Sequence, residues 1–150
     1  MLINHYTRQY TAYEKPTHAN ILFLLYKWGI DTGLLIIANY LNWQHLKGII
    51  HACIRTSRLA LAKSYFQELL PCIKPAEQED AKVFNHGYIA FAEGDYRQSI
   101  KQLHNHKFAH TSYNLSARTI AQQARCICMI NSVNRDDRHG LYESLKHECR

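Results

Sequence analysis

Chain breakers are scarce here: 3 prolines and 6 glycines in 150 residues. That is too few turn-formers for a many-stranded sandwich. Acidic side chains are also in short supply, 12 against 18 Lys and Arg, for a formal net charge of +6. Those present fall mostly where helices are expected to start, as Glu77, Glu79 and Asp80 do. They do not read as a facing pair for acid–base work, and an enzyme is not expected. No Walker loop, GxGxxG, GxSxG, HExxH or CxxC pattern occurs, so no cofactor is implied. The longest apolar runs, ILFLLY from Ile21 and GLLIIA from Gly33, are split by Lys27 and Asp31. Both fall well short of the about 18 residues a membrane span requires. No N-terminal stretch reads as a signal peptide. The 5 cysteines are an odd number. Cys53, Cys72, Cys126, Cys128 and Cys149 form no disulfide framework, and most sit within apolar helical patterns. Reduced thiols behave this way, so a cytoplasmic location is expected.

What is present is helical periodicity. Hydrophobic residues make up 47% and charged residues 20%, a globular composition, and one domain is expected over residues 1–150. The organising stretch is VFNHGYIAFAEGDYRQSIKQL, Val83 to Leu103. Phe84, Tyr88 and Phe91 share one stripe, and Tyr96, Ile100 and Leu103 repeat the spacing on a second helix. Between them Gly94 closes one helix and Asp95 opens the next, with Gln98 placed for a capping box. Gly87 stands mid-helix, where glycine costs about 1 kcal/mol against alanine. Close approach of the second helix is the expected compensation.

The rest of the chain extends this pattern. Residues 1–15 read as a helix ending before Pro16. Pro16 or Thr17 opens a second helix to Trp28, with Ile21, Leu24, Leu25 and Trp28 on one face and Gly29 closing it. A third is expected from Leu34 to Leu41, whose apolar run could alternatively be a buried strand. Trp43, Leu46, Ile50 and Cys53 mark a helix to Arg55. The next, capped by Thr56 or Ser57, carries Leu59, Ala62, Phe66 and Leu69 and stops at Pro71. Pro75 opens the helix of Phe84, with acidic residues in its first turns. After a connection from His104, a long helix capped by Ser112 or Asn114 is expected to Ile130, with Leu115, Ala117, Ala121, Ala124 and Ile127 in phase. SVNRDDR reads as a loop, and a last helix carries Leu141, Tyr142 and Leu145. The expected fold class is all-α, with N-terminal helices over residues 1–41 and about three antiparallel pairs over 42–149.

The arrangement of Gly87, Gly94, Tyr96, Ser99 and Leu103 resembles the tetratricopeptide repeat, in degenerate form. Val83, His86 and Ala90 depart from the family pattern, and no proline ends the unit. Leu59, Ala62 and Phe66 take the places of Tyr96, Ser99 and Leu103 in a preceding unit, and Ala121 that of Gly87 in a following one. The resemblance implies stacked helix pairs in a short right-handed solenoid, whose concave face binds a peptide or helix of a partner. The family's concave positions fall on Lys47, His51 and Arg55, on Phe84, Tyr88 and Phe91, and on Arg118, Gln122 and Arg125. The implied role is a non-catalytic interaction scaffold, and the expected partner-binding residues are Lys47, His51, Arg55, Tyr88, Arg118, Gln122 and Arg125. Basic groups around an aromatic centre suit an acidic segment.

An alternative is RNA or other nucleic-acid binding through the basic face of Arg55, Arg58, Lys63, Arg118 and Arg125, although the recognition positions lack the regularity of base-reading repeats. Self-association through residues 20–41 is a further expectation. His104, His106 and His110 cluster, but no neighbour in sequence supplies a carboxylate to complete a metal site, and none is expected.

Overall fold

A computed structural model describes the backbone of residues 16–148 and the side chains of residues 17–132. The helix expected over 1–15 lies outside the described residues. The described chain is mainly helical: α1 Pro16–Asp31, α2 Trp43–Arg55, α3 Leu59–Leu69, α4 Pro75–Ala92, α5 Tyr96–Asn105 and α6 Thr111–Glu148. A small hairpin, β1 Ile36–Ile37 and β2 Tyr40–Leu41, joins α1 to α2, and a 3₁₀ turn Leu70–Cys72 follows α3.

Helix ends follow local chemistry. Asn42 caps α2, its Oδ1 accepting the Gln44 N–H at 2.8 Å. Asp95 caps α5, accepting the Gln98 N–H at 3.0 Å. Gly94 adopts φ +84° between α4 and α5, a conformation glycine takes without strain. Thr56 belongs to the end of α2, where its Oγ1 donates to Ala52 O. The N-cap of α3 is Arg58, which makes no side-chain capping bond.

α4 is the centre of the molecule. Ala81, Phe84, Asn85, Gly87, Tyr88, Ile89 and Ala90 are all buried, so nearly every side of the helix is covered. It touches α2, α3, α5 and α6, and α2 also packs on α1 and α3, and α5 on α6. Trp43, Phe84, Phe108 and Tyr113 form an aromatic cluster between α2, α4, the 106–110 connection and α6, with Trp43–Tyr113 centroids 4.5 Å and Phe84–Tyr113 centroids 4.7 Å apart. Burying each such ring contributes roughly 1.5–3 kcal/mol.

Further sequence expectations are corrected. The helix over Leu34–Leu41 is instead the hairpin, with Ile36 opposite Leu41 and Ile37 opposite Tyr40. Its turn residues Ala38 and Asn39 have φ of +50° and +66°, which a helix cannot accommodate. Gly29 does not close α1: the helix continues to Asp31, with Gly29 buried against Leu35. The buried face of α1 is Ala19, Leu22, Phe23 and Tyr26, while Leu24 and Trp28 are 61% and 58% exposed. The run Ile21–Tyr26 is apolar at every position, so periodicity has little purchase there. Finally, α6 runs unbroken through residues 132–138, where a loop is expected. No proline or glycine interrupts that stretch, and polar composition alone does not stop a helix. Within α6, Leu115 is exposed and Tyr113 and Ile120 take the core positions.

Candidate binding cleft

The expected partner-binding residues separate into two places. Lys47 lies over the aromatic cluster, its Nζ 5.0 Å from the Phe84 ring centroid and 5.6 Å from that of Tyr113. It donates to Ser116 Oγ at 2.7 Å, Ser112 Oγ at 3.2 Å and Ser112 O at 3.3 Å, tying α2 to the first turns of α6. Burial without an anionic partner lowers its pKa from 10.5 to about 8. His51 packs on the buried Tyr88, ring centroids 5.6 Å apart. Burial first, then the nearby cations Arg55 and Lys47, depress the His51 imidazole to about 4. Lys47, His51 and Tyr88 are thus packed between helices rather than lining an open groove. Arg55 is exposed in the last turn of α2, where a cation suits the helix dipole.

Arg118, Gln122 and Arg125 are elsewhere. At 100° per residue they stand about 200°, 240° and 180° around α6 from Ser116, the residue that meets Lys47. They face α5 and line a cleft of about 1240 Å³. Its floor is apolar, from Phe91, Leu103, Phe108, Ala117, Ala121 and Ile127, and its rim adds His104, His106 and Lys107. No carboxylate lines it. Among the described residues, the side chains of Lys107, Arg118 and Arg125 make no ion pair or hydrogen bond.

The 106–110 connection forms one end of this cleft, and α4 fixes it. Asp80 Oδ1 lies 2.7 Å from His106 Nε2, and Oδ2 accepts the Ala109 N–H at 2.7 Å. An ionised carboxylate only accepts, so Nε2 carries the hydrogen. His110 Nε2 lies 3.8 Å from Glu77 Oε1, and the ring stacks on Trp43 at 4.6 Å. Asn114 Nδ2 donates to Phe108 O, drawing α6 back onto the connection. The histidine cluster therefore does have nearby carboxylates, brought from α4, and they anchor a loop. Among the described residues, no group of three or more His, Cys, Asp or Glu is arranged to hold a metal ion. Nor is any described helix long and apolar enough to cross a membrane.

Sequence reading does not bring His104, His106, Lys107 and Phe108 into the same site as Arg118 and Arg125. The signal is the alternation of basic and apolar residues on both sides of a short connection, which acquires meaning only once α5 and α6 are paired. No protein-family model, curated protein or solved structure matches this chain.

Proposed function

We propose that this protein is a non-catalytic interaction module, working in the cytoplasm, that binds a peptide or helix of a partner protein in the cleft between α5 and α6. One observation carries the reading: three cations without partners among the described residues stand around an apolar floor that no carboxylate lines. Exposed charge is well solvated alone, but a rim of one sign over buried apolar surface selects both the charge and the shape of what enters. The contacts of α2 with α4 and of α4 with α6, with α3 and α5 beside them, are compatible with stacked pairs of tetratricopeptide-like type.

The test is capture of partner proteins by the wild-type chain and by an Arg118→Glu/Arg125→Glu variant whose thermal unfolding is unchanged. Loss of the captured proteins with the variant supports the reading, and equal retention contradicts it. Nucleic acid is the competing occupant. Its retention would fall steeply and log-linearly with salt, whereas apolar anchoring is far less salt-sensitive. Self-association is a separate reading, favoured by Leu24, Trp28, Leu34 and Ile37, which are all exposed within residues 20–41. Sedimentation equilibrium tests it, and a monomer at high concentration would exclude it.

A further inference from the structure

We infer that the occupant of the α5/α6 cleft is an amphipathic α-helix with an acidic flank, rather than an extended peptide. This rests on the interaction reading above and names its ligand.

The backbone argument comes first. An extended peptide needs partners for its N–H and C=O groups, which a strand edge supplies in register and a helical wall supplies only through scattered side chains or water. Most of the cleft wall is α6, whose backbone groups are paired within the helix, and the last-turn carbonyls of α5 at Leu103 and His104 make no strand edge. The wall's remaining segment, residues 106–108, gives one of its carbonyls to Asn114. A helix carries its own backbone hydrogen bonds into the cleft and needs only side-chain complementarity.

Dimensions agree. The α6 wall runs from Asn114 to Ile127, about 20 Å at 1.5 Å per residue, which matches a partner helix of three to four turns. Spread along that length, the volume of about 1240 Å³ has a section of roughly 60 Å². That admits one face of a helix whose full diameter is about 10 Å.

Charge specifies the flank. Arg118 and Arg125 are seven residues apart, two turns and about 10 Å along one side of α6, with the Gln122 amide between them. A helix lying beside α6 answers them with carboxylates seven residues apart and an apolar stripe at i, i+3, i+4 and i+7. Single-stranded nucleic acid fits less well, because it needs exposed aromatic faces on which to stack. Phe108 is buried and Phe91 is half-buried, edge-on to Tyr96.

The test is selection of randomised displayed 16-residue peptides on the wild-type protein, with counter-selection on folded Arg118→Glu/Arg125→Glu. Enriched sequences should be free of proline, apolar at helical spacing and acidic on one flank. Synthesised, they should gain helical circular dichroism on binding. Enrichment of proline-containing or extended acidic peptides would overturn the helix inference and leave the interaction reading standing. Absence of any sequence that prefers the wild type over the variant would overturn both.

Discussion

Gly87 of α4 and Leu103 of α5 are in such close contact that a methyl group on Gly87 would lie 2.6 Å from Leu103 Cγ and 2.7 Å from Cδ2. Leu103 is buried and also helps floor the cleft. This contact sets the spacing of the central helix pair, and through α5 it sets one wall of the proposed site.

Gly87→Ala therefore opposes two effects. Alanine favours the helix by about 1 kcal/mol. Displacing a packed leucine typically costs about 1–3 kcal/mol. Urea denaturation should show net destabilisation of about 1 kcal/mol, and Leu103→Ala in the same background should cost less than it does alone. A stabilised Gly87→Ala protein would show that the contact is loose.

The Asp80 side chain is 13% exposed and bridges α4 to the 106–110 connection through His106 and the Ala109 amide. Asp80→Ala leaves both partners unanswered, a loss of about 1.5–3 kcal/mol for charged hydrogen bonds. Native-state hydrogen exchange should show the Ala109 amide losing protection well beyond the global loss. Unchanged exchange there would mean that the loop is held by Phe108 packing instead.

Helices α2 to α5 are legible in the sequence because each has an apolar stripe in phase and a chemical stop. Asn42 and Asp95 cap, Pro71 and Pro75 delimit, and Gly94 turns. Gly87 also declares itself, since a mid-helix glycine needs a packing reason. Residues 34–41 mislead because Leu34 to Ile37 is apolar in either period, and the turn uses Ala38-Asn39 instead of an Asn-Gly signal. The site is only half legible. Arg118, Gln122 and Arg125 emerge from register on one helix. Pairing them with Lys47 and His51 presupposes an open concave face, whereas the aromatic cluster fills that space. The Asp80–His106 contact joins residues too far apart in sequence for any local pattern to reveal.

Two half-buried bases give a signed pH dependence. His51 has a folded pKa of about 4 against 6.5, so between those values the unfolded chain binds a proton that the folded one refuses. Stability therefore rises from pH 4 to 6.5, with a slope of at most about 1.4 kcal/mol per pH unit from this one group. His51→Gln should flatten that slope relative to wild type. Lys47 acts in the same direction between about 8 and 10.5, and Lys47→Met should remove its contribution. Cys53, raised to about 11 by burial, opposes it above pH 9 in both proteins, so the difference between wild type and variant isolates Lys47. Parallel curves for wild type and both variants would contradict these environments.

The most direct test is a charge swap measured by fluorescence anisotropy. A labelled amphipathic helical peptide bearing two glutamates seven residues apart is titrated with wild type and with Arg118→Glu/Arg125→Glu. A helix-binding cleft rimmed by these two arginines predicts at least about tenfold weaker binding by the variant, recovered when the two glutamates are replaced by lysine. Equal affinity of both proteins for the acidic peptide, or no recovery with the basic one, would contradict it.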